Sequence, residues 1–93
     1  MGRLYSGNLI AFKDACNRLY QLDLAVIVVE QEGSPNIKST LYLRIEDRTG
    51  NMIDSRTGDL IGSRAFFHRD EDVLYNMGTA WLNHMYDQLK DWK

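Results

Sequence analysis

Cysteine, proline and long apolar runs are nearly absent from this chain. Cys16 is the only cysteine, so no internal disulfide can form, and a chain that makes no use of an oxidising compartment suits a reducing cytosol. The longest uninterrupted apolar run, Leu24 to Val29, falls far short of the ~20 residues that span a bilayer. The first residues hold no apolar signal core, so the protein is expected to be neither secreted nor inserted. Neither sign of charge dominates. Eleven Lys and Arg against 13 Asp and Glu leave a net charge of −2, which argues against broad electrostatic capture of nucleic acid. An acidic mimic of DNA would carry a much larger excess of one sign.

What is present is one core's worth of apolar residues. A chain of 93 residues, 44% of them apolar, hides roughly two-thirds of its unfolded surface and has room for a single domain, residues 1–93, of two packed layers. Cys16 sits beside Ala15 and Leu19, and no Lys or Arg stands where it would obviously hold a thiolate, so it reads as a small buried residue.

Leu9, Phe12, Ala15, Cys16 and Leu19 recur at spacings of three and four, which predicts an amphipathic helix over Leu9 to Leu22, capped by Ser6 or Asn8. Leu24 to Val29 is a β-branched run without a period-two gap, as in a central strand. Glu32 to Asn36, with Gly33 and Pro35, is a loop. From Ser39 to Glu46 the pattern alternates: Leu41, Leu43 and Ile45 face one way, and Tyr42, Arg44 and Glu46 the other. Asp47 to Asn51 closes a hairpin with Gly50 free to take a positive φ, and a third strand is expected from Asn51 to about Ser55. Arg56 to Arg64 reads as a protruding loop or extra hairpin set into that strand. Asp70-Glu71-Asp72 suits a helix N-terminus, and Leu74, Met77, Trp81, Met85, Leu89 and Trp92 form one stripe of a long helix broken by Gly78. The fold class is therefore α+β: a helix, a three-stranded antiparallel sheet with an extra loop or hairpin, and a long C-terminal helix, with both helices on one sheet face.

Three groups of residues invite a chemical reading. His68, Asp70 and His84 are of metal-ligand type, but histidines sixteen residues apart on one helix would stand roughly 24 Å from each other, so a capping cluster is the better account. Asp87 and Asp91, spaced by four, are ordinary solvated acids of a helix face. Tyr42 beside Arg44, and Phe66 and Phe67 near Arg64 and Arg69, lack the cation surplus of a stacking platform for nucleic acid. No nucleophile elbow or phosphate-cradling loop is present, so no catalytic residue, metal or cofactor is expected. Five tyrosines, two tryptophans and the 11 cations are side chains that anchor protein interfaces. Tyr75 and Tyr86, eleven apart on the long helix, share a flank of its core stripe.

Long stretches of the chain also carry a resemblance. Met1-Gly2-Arg3-Leu4-Tyr5-Ser6-Gly7-Asn8-Leu9, Leu43-Arg44-Ile45-Glu46-Asp47-Arg48 and the run from Trp81 to Lys93 closely resemble the family of early proteins of short-tailed coliphages that inhibit the host dGTP triphosphohydrolase. The segments Glu30 to Thr40 and Arg56 to Arg64 depart from the family's pattern, the second as an insertion, which a surface hairpin tolerates. The resemblance implies a non-enzymatic protein of the host cytoplasm that binds the oligomeric enzyme and preserves the dGTP pool for phage replication, with nucleotide in the enzyme's active site favouring the complex. A small phage module that binds nucleic acid or a host nuclease is the alternative. Docking is expected through Tyr42, Arg44, Asp47, Arg48 and Arg56 at one end of the hairpins, or failing those through Tyr75, Tyr86 and Asp87 on the helix flank. With the apolar stripes all assigned to one core, the free protein is expected to be a monomer and to contact neither membrane nor nucleic acid.

Overall fold

A computed structural model of the chain describes residues 6–31, 39–53 and 62–91. The element order is α1 (Ser6–Tyr20), β1 (Leu24–Gln31), β2 (Ser39–Asp47), β3 (Ser63–His68) and α2 (Glu71–Leu89). The strands form one antiparallel sheet in the order β1-β2-β3. The α+β, two-layer reading holds: α1 lies over β1, α2 lies over β2 and β3, and the helices pack on each other. No described helix is long and apolar enough to cross a membrane.

The layers meet where the periodicities place them. Phe12, Ala15 and Leu19 of α1, Leu41, Leu43 and Ile45 of β2, and Leu74, Trp81, Leu82, Met85 and Leu89 of α2 are buried together. The α2 stripe thus holds, with Met77 only half-buried and Trp92 outside the described residues. Gly78 is buried where α2 crosses α1 and β2: a Cβ there would stand 2.9 Å from Leu41 Cδ2 and 3.0 Å from Phe12 Cε1, so close packing accounts for a glycine in mid-helix. Asp70 caps α2 as expected, its side chain accepting from the Asp72 amide, while His68 Nδ1 accepts from the Asp70 amide. His68 itself ends β3 and is not on the helix. The caps assigned to Ser6 or Asn8, and the loop at Glu32 to Asn36, fall outside the described side chains and residues.

Two strand assignments change. β1 is an outer strand and β2 the central one; an unbroken apolar run is equally compatible with an edge that is covered on one face. The third strand lies at Ser63–His68, so Ser63 and Arg64 belong to a strand rather than to a loop. Of the strand expected from Asn51 to Ser55, positions 51–53 are described, and among them Met52 makes a single bridge, to Glu46. Both stretches line the same side of β2: Ile53 N donates to Ile45 O at 2.9 Å, and Ile45 N donates to Gly62 O at 2.8 Å. Ile53 and Gly62 thus meet beside Ile45, and the loop or extra hairpin expected from Arg56 onward lies, up to position 61, outside the described residues.

Candidate functional site

Antiparallel register decides which side chains share the sheet face turned away from the helices. Ile27 pairs with Arg44 and Arg44 with Ser63; Val29 pairs with Tyr42 and Tyr42 with Ala65; Thr40 pairs with Phe67 and Glu46 with Met52. Directly opposed residues lie on one face, so Tyr42 and Arg44 stand in cross-strand rows with Ile27, Val29, Ala65 and Phe67. Phe67 is 60% exposed and Met52 44%. Among the described residues no helix packs on this largely apolar face, which carries a charged pair along β2, Arg44 Nε lying 2.8 Å from Glu46 Oε2 without the alignment of a hydrogen bond.

Sequence reasoning placed Tyr42 and Arg44 on this face from the alternation of β2. It missed Phe67, Ile27, Val29 and Met52. The two phenylalanines of β3 are adjacent, and only the register separates Phe66, buried and edge-on to Trp81, from Phe67 outside.

Asp47 and Arg48, at the end of β2, have different roles. The Asp47 Oδ1 accepts from Thr49 N at 2.9 Å, Thr49 Oγ1 at 2.6 Å and Asn51 N at 3.0 Å, and Gly50 takes φ +90° to close the turn. This carboxylate builds the hairpin. The Thr49 hydroxyl first, then the Asn51 amide, hold its pKa below the usual value for aspartate. A depressed folded pKa gives stability that is complete above the unfolded value and lost as pH falls through the folded one. The Asp47 carboxyl is therefore expected to titrate below an unstructured aspartate, and the Thr49 and Asn51 amides to exchange faster once the pH drops through that midpoint. A carbon-detected titration with an unshifted midpoint would remove this role. Arg48 pairs with Asp23, which holds a positive φ of 67° just beyond α1; both side chains are exposed, so the pair contributes little to stability.

The helix-flank candidates lie on the opposite layer. Tyr75 packs on Phe12, ring centroids 5.2 Å apart, and Arg18 lies 4.2 Å over the Tyr86 ring while donating to Asn83 Oδ1 at 2.8 Å. Both tyrosines thereby tie α2 to α1. Asp87 is exposed, 3.9 Å from Lys90 Nζ. The structure therefore separates the candidates into a sheet group, Tyr42 and Arg44 with Arg48 at its end, and a helix group, Tyr75, Tyr86 and Asp87; Arg56 lies outside the described residues.

A separate depression lies elsewhere: an open cleft of about 670 Å³ between α1 and β1, with Phe12, Cys16, Tyr20, Val26 and Val28 in its walls. Burial pushes the Cys16 thiol up to about 11, so at neutral pH it is a protonated wall residue and not a nucleophile. Among the described residues, no three His, Cys, Asp or Glu side chains come together as a metal would need.

Comparison with known proteins finds relatives that cover the whole chain. A curated protein of Escherichia phage T7 named "Inhibitor of dGTPase" is 61% identical over 93 residues, covering all of both chains. The "Gene 1.2 protein" of Enterobacteria phage T3 is 37% identical over 98 residues, covering all of this chain and 98% of that one. The family described as Bacteriophage T7-like, gene 1.2 matches residues 1–93, so the likeness is neither a local motif nor a shared fold alone: from end to end, this chain belongs to the T7-like gene 1.2 family.

Proposed function

We propose that this protein inhibits a host dGTP triphosphohydrolase by binding it, and so preserves dGTP for phage DNA synthesis in the host cytoplasm. The observation that carries the reading is the 61% identity, over the whole of both chains, to a protein named for inhibition of dGTPase. The architecture is compatible with a binder: its open sheet face offers aromatic and aliphatic area beside an arginine, the composition of an interface centre.

Tyr42 and Arg44 form the middle of the docking surface, Phe67 extends it across β3, and Arg48 flanks it with positive charge; Arg56, a further candidate contact, lies outside the described residues. Asp47 supports the surface through the hairpin rather than by contact. Tyr75 and Tyr86 hold the helices together, which leaves Asp87 as the exposed member of the helix group.

The test is dGTP hydrolysis by the purified host enzyme with increasing amounts of this protein. Hydrolysis that continues at full rate in the presence of excess protein would overturn the reading. Tyr42→Ala and Arg48→Ala are each expected to raise the concentration for half-inhibition about tenfold, equivalent to about 1.4 kcal/mol, while the far-ultraviolet circular dichroism stays unchanged. If both variants inhibit at wild-type concentrations, the sheet face is not the docking surface and the Asp87 flank takes its place.

A further inference from the structure

We propose that β1 is a self-association edge: two copies of this chain pair their β1 strands antiparallel about a two-fold axis, joining two three-stranded sheets into one of six strands.

The two edges of the sheet are built differently. β3 has six residues, carries Arg64 and His68, and is interrupted where the chain leaves at Ile53 and returns at Gly62. Short length, charge and interruption are the devices that keep an edge from pairing with another chain. β1 is longer and uninterrupted, and its one charged residue, Glu30, stands next to its last position. Its eight residues keep unbroken register with β2, from Leu24 opposite Asp47 to Gln31 opposite Thr40, so it contains no bulge. From Leu24 to Val29 it has no charge, proline or glycine. Alternate N–H and C=O groups on its outer side point away from β2, and no strand among the described residues pairs with them.

Its side chains are open on both faces. Val28 is 39% exposed on the helix side and Val29 36% on the other. The helix-side opening is the cleft between α1 and β1, walled in part by Val26, Val28 and Tyr20. A strand added here must be apolar on both faces, since one face meets the cleft and the other meets the row of Ile27 and Val29. β1 has that pattern itself. Pairing centred on Ile27 sets Ile27 opposite its own copy, Val26 opposite Val28, and Leu24 opposite Glu30.

Lys13 and Asp14, both at the cleft, give a patch of mixed sign that a two-fold axis makes its own complement. The monomer expected from the sequence assumed that one core takes up every apolar stripe; Ile10, Tyr20, Val28 and Val29 are exposed large apolar residues on α1 and β1. Pairing engages the outer edge of β1 and does not require Tyr42 or Arg44, which stand on the central strand of each copy.

Sedimentation equilibrium on the full chain alone, from about 1 to about 200 μM, tests the pairing. The expected mass rises with concentration from 10.8 kDa toward twice that value. Val28→Lys, at an exposed position, is expected to remain at the single-chain mass throughout while keeping the wild-type circular dichroism. Ile27→Cys is expected to cross-link to its own copy on mild oxidation, whereas the parent chain with Cys16 alone does not. A wild-type chain that stays at 10.8 kDa at every concentration overturns the proposal. So does a dimer that persists undiminished in Val28→Lys, or one in which Ile27→Cys fails to cross-link. No enzyme is present, so none of these outcomes bears on inhibition.

Discussion

Replacing Gly62 with alanine is expected to destabilise the fold by about 4 kcal/mol, combining overpacking against backbone with weakening of two hydrogen bonds. A Cβ at this position would stand 1.7 Å from the Ile53 carbonyl oxygen and 2.8 Å from its carbon. Backbone cannot step aside as the end of a flexible side chain can. Relief requires the two stretches to part, and each is held to Ile45 by one bond, Ile53 through the Ile45 carbonyl and Gly62 through its amide. Ile53 is buried and would be drawn out of the core. Against a total of roughly 5–15 kcal/mol for a domain of ordinary stability, that loss leaves little margin. Gly50→Ala is the control. Its site has open space around it and only a positive φ to oppose a side chain, so its cost is about 1–2 kcal/mol. Urea unfolding of both variants decides the matter: equal midpoints for the two would remove the special role of Gly62.

Trp81→Ala is the second large effect, at about 3–5 kcal/mol. Trp81 is buried on the face of α2 that meets β3, with its ring edge-on to Phe66 at 6.3 Å and 64°. Among described β3 side chains Phe66 is the one in the buried core, so the pair is the main apolar tie between that strand and the helix layer. Losing it opens a cavity with no neighbouring aromatic free to fill it, while Trp81→Phe keeps ring contact and loses less than half as much. The measurement is the urea midpoint at constant m value, with amide exchange of β3 read in parallel. A shift worth less than about 1 kcal/mol would mean that the site collapses and that β3 is held by its ladder alone.

How much of this was legible beforehand depended on which force set each element. α1, β2 and α2 bury one face, and a half-buried element writes its own period into the sequence: Phe12, Ala15 and Leu19 at helical spacing, Leu41, Leu43 and Ile45 at every second position. The Asp47 turn and the Asp70 cap were equally readable, because a short polar side chain reaches amides only two to four residues away. β1 was not placed correctly, since Leu24 to Val29 has apolar residues at both parities and carries no sign of which strand lies beside it. β3 was missed because its boundary is set by a contact between Ile53 and Gly62, nine positions apart. The outer sheet face followed the same rule: Tyr42 and Arg44 could be read from alternation within one strand, whereas Phe67 and Ile27 join them only through cross-strand register. Tyr75 and Tyr86, read as half-exposed from their shared flank, also tie the two helices, which their spacing could not show because Phe12 and Arg18 arrive from the other helix.

The meeting of Ile53 and Gly62 has a wider consequence. Because the departure and return points of the third strand are neighbours, the sheet is indifferent to how many residues are spliced between them. An insertion between positions 54 and 61 is therefore expected to leave the bonds of Ile53 and Gly62 to Ile45 in place, which makes that stretch the place to graft an epitope or a fluorophore.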